Sequence, residues 1–334
     1  MGGPAMLLAV AVLIILEISL SFDNAVVNAK ILAKMSPLWQ KLFLTVGILI
    51  AVFGMRLILP VVLVAVTANL GFGEVWNLAL NDPEAYEGFL EAAKESIYAF
   101  GGIFLLMIFL NFILDPDREI YWLKPIEKPL VKIGKLDTLP VVIALATIYV
   151  GSRLTEPDKA STVFVAGIFG LMLYLAVSGL DGLLEEGMDL DDQPPGTPVT
   201  NMTFAAGLTS FLYLELIDAS FSFDGVIGAF AISNNIIVIA LGLGVGAFWV
   251  RSMTIYLVRE GTLTEYVYLE HGAHWAIGAL AFIMIAELQY EINEYFTGVA
   301  GVVVIILAVI SSVIEKRRGE DTDPKPIVEI EEVA

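Results

Sequence analysis

Cysteine is absent from this 334-residue chain, charge is sparse, and the charge that is there has the wrong sign for nucleic acid. With no cysteine there are no disulfides, no thiolate metal sites and no thiol nucleophiles. Only 16% of residues are charged against 57% hydrophobic, and mean hydropathy is +0.81, more apolar surface than a soluble protein can bury. Lys and Arg number 18 against 37 Asp and Glu, a net charge of −19, so the basic footprint that nucleic acid requires is missing. The acids crowd into 74–95, 181–192 and the stretch from Glu320, which reads as solvated loops or as an acidic vestibule that concentrates cations. The opening Met1-Gly2-Gly3-Pro4 lacks the basic region of a secretory leader, so the first apolar run is expected to be retained as a span.

What fills the chain is long hydrophobic runs. Nine apolar segments centre on 5–29, 42–67, 96–114, 138–152, 160–180, 202–231, 236–258, 273–290 and 296–314. Several reach the eighteen or more apolar residues that cross about 30 Å of hydrocarbon as helix. The expected fold is an all-α polytopic bundle. It divides into a first membrane repeat (1–115), a linker plus two connecting membrane segments (116–200), a second repeat (201–315) and an acidic disordered tail (316–334). Basic residues orient it. With the N-terminus outside, Lys30, Lys34, Lys41, Arg118, Lys124, Lys128, Lys132, Lys135, Arg259 and Lys316 to Arg318 lie inside, and only Lys94, Arg153 and Lys159 lie outside.

The chemistry is concentrated in a duplicated motif. Glu17-Ile-Ser19-Leu-Ser21-Phe-Asp23-Asn24 in the first segment matches Asp218-Ala-Ser220-Phe-Ser222-Phe-Asp224-Gly225 in the sixth. A carboxylate at mid-bilayer costs about 2.5–3.5 kcal/mol on insertion scales, so an ionisable group there is a functional hypothesis by default. In the N-outside orientation the two motif segments run antiparallel, as in inverted-repeat carriers with a midplane site. Each motif is followed by a segment with one arginine in mid-span, Arg56 and Arg251. On a continuous helix Glu17, Ser21, Asn24 and Asn28 form one stripe, and Glu215, Asp218, Ser222 and Gly225 form its counterpart. Five acids against two arginines leave negative charge that needs a cation or protons. Oxygen-only ligands suit Mg, Ca and Mn. The competing reading is a purely structural network in which Arg56 and Arg251 pair with the acids. Glu270-His271-x-x-His274 does not have the order of a zinc-protease motif and reads as interface anchoring. The acids also lack the Gly-x-Gly-Asp context of an intramembrane aspartyl protease.

Glu17-x5-Asp23-Asn24, Glu215-x-x-Asp218-x5-Asp224, Gly246-Ala247-x-x-x-Arg251, Phe100-Gly101-Gly102 and Glu270-His271-Gly272-Ala273-His274 resemble the TerC family of integral membrane proteins, in its branch labelled a domain of unknown function. The resemblance spans most of residues 10–315. It implies kinship with the lysine-exporter superfamily, and with members that export manganese or are linked to tellurite resistance. It also implies a multi-pass protein in the plasma membrane of a bacterium or archaeon. Glu17, Asp23, Asn24, Glu215, Asp218 and Asp224 would then be the metal-site residues, supported by Ser21, Ser222, Arg56 and Arg251. Where many manganese-exporting relatives have Ser-Ile-Pro after the second aspartate, this chain has Gly225-Val226-Ile227, so the helix is expected to break differently there. The expectation is a transporter rather than an enzyme. It needs no cofactor, and its partners are membrane lipid and a divalent cation, Mn²⁺ first, with export the implied direction. The alternatives are a membrane scaffold or stress-response protein with a structural metal site, and a proton- or sodium-coupled solute carrier.

Overall fold

The computed structural model describes residues 3–185, 203–230, 232–233, 235–259, 266–290, 292 and 294–322. Among them every regular element is a helix. Six stretches are long and apolar enough to cross a membrane: Pro37–Val66, Lys94–Ile113, Ala160–Gly179, Ile236–Arg259, Leu269–Ala286 and Val299–Arg318. A multi-pass membrane protein has this architecture.

The first apolar run does not form one helix. α1 (Gly3–Leu20) and α2 (Phe22–Lys34) meet at Ser21, whose φ −106° and ψ 11° lie off the helical values. The Ser21 and Ala25 amides still reach back one turn to Glu17 and Ser21, so the discontinuity is a kink inside the motif and not a gap. The chain leaves α2 through Met35 and Ser36 in extended conformation, and Pro37 at the first turn opens α3 (Pro37–Leu49). Gln40 ties this corner, donating to the carbonyls of Leu32 and Met35 at 3.1 Å each.

α3 widens into a π-helical stretch, Ile50–Ile58, before α4 (Leu59–Thr67) restores the normal pitch. The Leu59 amide bonds to Gly54 O, five residues back, as a π-turn requires. α5 (Phe72–Asn81) and α6 (Pro83–Ala92) form a helical hairpin in the acidic stretch. Asp82 accepts from the Ala85 amide, and Pro83 sits in the first turn of α6.

α7 (Lys94–Ile113) is the hub. Every side chain from Gly101 to Leu110 is buried, so the helix has no lipid-facing stripe over that length. It packs against α9 (Leu139–Leu154), α10 (Ala160–Glu185), α11 (Phe204–Phe230) and α13 (Leu269–Ala286). Gly170 lets α10 lie on the α7 backbone, since a Cβ there would stand 2.3 Å from Phe100 O. α8 (Lys124–Ile133) lies in the linker between α7 and α9. α12 (Ile236–Arg259) packs along α1, α2 and the π stretch, and α14 (Glu294–Thr322) packs on α13 and α1.

Two expectations on boundaries differ from the structure. The linker after α7 holds a helix of its own, α8. The helix of the last span runs on to Thr322, into the segment read as a disordered tail, because Glu315, Lys316, Arg317 and Arg318 are all good helix formers. The rest of that tail, 323–334, and the acidic loop from 186 to 202 lie outside the described residues.

Candidate cation site

α1, the π stretch, α11 and α12 bring both motifs and both arginines into one buried network. Glu17 is fully buried on α1, and Arg56, Arg251, Glu215 and Asp218 are each at most 4% exposed. Arg56 donates through Nη2 to Glu17 Oε1, and Ser21 Oγ donates to the same oxygen at 2.8 Å. Nη1 of Arg56 reaches Ala51 O at 2.7 Å and lies 3.9 Å from Asp218 Oδ2. Arg251 holds Glu215 with a two-pronged fork, Nη1 to Oε1 and Nη2 to Oε2, both 2.9 Å. Its Nη2 also donates to Asp218 Oδ2 at 3.1 Å. Asn24, from α2, donates to Asp218 Oδ1 at 2.7 Å.

Asp218 is therefore the junction: both arginines and Asn24 converge on it. Glu17 and Asp218 occupy matching places in the two motif copies, and each is joined to the arginine that follows its own copy. Glu215 is an addition, because the first copy has Ile14 at that place. Planar guanidinium forks suit these carboxylates, and a lysine would not reproduce the two-pronged contact.

Small residues make room for the network. A Cβ on Gly47 would stand 2.3 Å from Arg251 Nη1 and 2.7 Å from Glu215 Oε1, and one on Gly246 would stand 2.5 Å from Glu17 Cβ. Arg251 also donates to Phe43 O at 3.1 Å and lies over the Phe43 ring at 4.2 Å. Gly242, Gly244 and Gly246 at every second position give α12 its close approach to α1 and the π stretch: a Cβ at each, in that order, would stand 2.4 Å from Leu13 Cβ, 2.9 Å from Val52 Cγ1 and 2.5 Å from Glu17 Cβ. Nothing in the sequence marks Gly47, Phe43 or Ala51 as part of the site, since none carries a polar side chain.

Three carboxylates face two guanidinium groups, which leaves one formal negative charge among the described groups. Glu17 Oε2, Asn28 Oδ1 and Ser222 Oγ are buried oxygens with no hydrogen-bond partner among the described residues. A buried oxygen without a donor is costly, about 1–3 kcal/mol, and more for a charged group. Asp23 opens α2 just past the kink, and Asp224 lies on α11 six residues beyond Asp218; their side chains fall outside the described residues. Among those described, no group of three or more Asp, Glu or His side chains is arranged to hold a metal ion, because the acids face arginines and not one another. Gly225-Val226-Ile227 does not interrupt α11, which is helical through Phe230. The break is confined to the first copy.

A family model described as a protein of unknown function (DUF475) matches residues 22–319. The chain belongs to the DUF475 family. The DUF475 match takes in Asp23, Asn24, Arg56, Glu215, Asp218, Asp224 and Arg251, while Glu17 precedes its first residue. No curated protein and no solved structure matches the chain.

The remaining polar motif, Glu270 to His274, is not part of this network. His271 Nδ1 lies 3.2 Å from Glu127 Oε2, and His274 stacks on Phe112 at 3.7 Å between centroids. Both histidines serve the contact between α13, the end of α7 and the linker helix α8.

Proposed function

We propose that this DUF475 protein is an integral membrane transporter that carries a divalent cation, Mn²⁺ first, through a midplane site between the two acidic motif helices. The observation that carries the reading is the surplus of buried negative charge. Glu17, Glu215 and Asp218 exceed the two arginines by one, and Asp23 on α2 and Asp224 on α11 add two further acids in the motifs. A low-dielectric interior holds such a surplus only with a cation or bound protons. The unpartnered oxygens of Glu17, Asn28 and Ser222 are hard donors of the kind Mn²⁺ and Mg²⁺ take.

In this reading Glu17, Asp23, Asn24, Glu215, Asp218 and Asp224 supply the ligands, with Ser21 and Ser222 beside them. Arg56 and Arg251 hold the two halves in register. The apolar segments within 1–115 and 201–315 form two inverted repeats, supported by the matching pairs Arg56–Glu17 and Arg251–Asp218. The N-terminus lies outside and the C-terminus in the cytoplasm. Export and plasma-membrane placement come from the TerC resemblance. The test is Mn²⁺-dependent stabilisation of the purified protein in detergent. Mn²⁺ should raise its melting temperature in a saturable way, and Asp224→Asn should remove the shift while leaving the metal-free melt unchanged. No shift in the folded wild type contradicts the reading.

The arginines themselves favour a second reading, a membrane scaffold whose polar network only fastens helices. It predicts that Asp224→Asn lowers abundance and metal-free stability together. A cavity of about 700 Å³ on the Leu216, Ala219 and Ser220 face of α11 favours the third, a coupled solute carrier in which the acids bind only the coupling ion. Flux would then need an added solute.

A further inference from the structure

The linker between α7 and α9 departs from the charge of the rest of the chain. Residues 115–137 hold five of the 18 basic residues and five acids, so the segment is neutral in a protein of net charge −19, and its four lysines all lie in 124–135, where Glu127 is the one acid. On α8, Lys124, Lys128 and Lys132 recur at every fourth position and fall along one stripe, and Lys135 follows in the turn just past the helix end. All four are exposed, and none is ion-paired among the described residues. A different edge of the same segment exposes aliphatic side chains: Ile126 is 48% and Ile133 52% exposed, with Leu136 at 62% just beyond.

The helix is mounted rigidly. Glu127, on its inner face, is fully buried and accepts hydrogen bonds from the Trp122 and Leu123 amides at 3.1 and 3.2 Å, from Trp275 Nε1 at 3.0 Å and from Arg118 Nη2 at 3.3 Å. Arg118 is spent on this mount, bonded to Glu127 and lying over the Phe112 and Tyr121 rings, so it does not belong to the exposed lysine stripe, whose Lys128 also lies over the Tyr121 ring at 5.9 Å. Leu130 turns inward to the α7 core. What remains outward is the lysine stripe, the isoleucine edge, and Pro125 and Pro129 between them.

We propose that α8 is an in-plane interfacial helix that binds anionic lipid headgroups through Lys124, Lys128, Lys132 and Lys135 while Ile126 and Ile133 enter the acyl boundary. An amphipathic helix with lysines on one face and aliphatics on another has the physics of a membrane-surface helix. Clustered lysines beside a membrane span select anionic over zwitterionic headgroups. The occupant is a lipid and not an acidic protein, because the helix exposes an isoleucine edge as well as its lysine stripe and the segment joins two helices of the membrane bundle. The inference is independent of the cation reading and needs only the membrane placement.

The absence of cysteine makes the test direct, since a single introduced thiol is unique. Full-length Ile133→Cys protein, labelled with an environment-sensitive fluorophore, is reconstituted in bilayers that carry brominated acyl chains on either phosphatidylglycerol or phosphatidylcholine. At equal low mole fraction the anionic brominated lipid should quench several-fold more strongly. Replacing the four lysines with glutamine should abolish that preference, about tenfold or more in relative lipid affinity, while quenching by the bulk bilayer persists. Equal quenching by the two lipids overturns the proposal, as does a preference that survives the glutamines. Absence of quenching by either lipid would place the surface in water or under a protein, and overturns it as well.

Discussion

Gly246 carries a hydrogen where any other residue has a carbon, and that difference decides how close α12 comes to Glu17. A Cβ at this position would stand 2.5 Å from Glu17 Cβ and 3.2 Å from Ile14 O, and neither atom is the free end of a flexible side chain. Gly246→Ala should therefore push α12 off α1 and cost about 1–3 kcal/mol, as overpacking does. Gly54→Ala is the control: its nearest neighbour is Ile50 Cγ2 at 3.4 Å, an ordinary contact. Thermal melts of the two variants in detergent should differ clearly, with Gly246→Ala lowered and Gly54→Ala close to wild type. Equal melts would mean that the α1–α12 approach has slack.

At the scale of elements, α8 depends on one carboxylate. Burial pushes the Glu127 carboxyl upward, but hydrogen bonds from His271, Trp275 and the Leu123 amide outweigh it and hold the group at about 2, below its ordinary 4.5. A depressed carboxyl stabilises the fold above the ordinary value and loses that contribution as pH falls through the depressed one. The α8–α13 contact should thus be at full strength above about pH 5 and should weaken between about 4.5 and 2. Glu127→Gln should melt lower than wild type at pH 7, and the gap should close as pH approaches 2. A gap that stays constant down to that pH would show that the charge on Glu127 does not hold α8.

Glu127 also shows what the sequence conceals. Its burial depends on His271 and Trp275, more than 140 positions away, and no local pattern announces a glutamate in a basic linker as a core residue. The kink at Ser21 was not legible, since the motif also reads as one continuous helical stripe, and the π stretch left no mark, since Ile50–Ile58 reads as ordinary apolar helix. The apolar spans were legible because hydropathy over about twenty residues is a property of composition, and six stretches among the described residues are helical, long and apolar enough to cross a membrane. Arg56 and Arg251 were also legible, since a lone charge in an apolar run demands a partner. That both would meet on Asp218 depended on how α11 sits against the π stretch and α12, which periodicity does not encode.

For the whole molecule, the described residues hold six stretches long and apolar enough to cross a membrane, and a buried network whose acids outnumber its arginines. The central claim is that this surplus charge exists to carry a cation across. Mn²⁺ flux in inside-out proteoliposomes tests it most directly, comparing wild type with Asp23→Asn and Asp224→Asn, with and without a pH gradient. The account predicts saturable uptake in the wild type, altered by the gradient and abolished in either variant at equal protein content. Wild-type flux in both variants, or none in correctly oriented folded wild type, would contradict it.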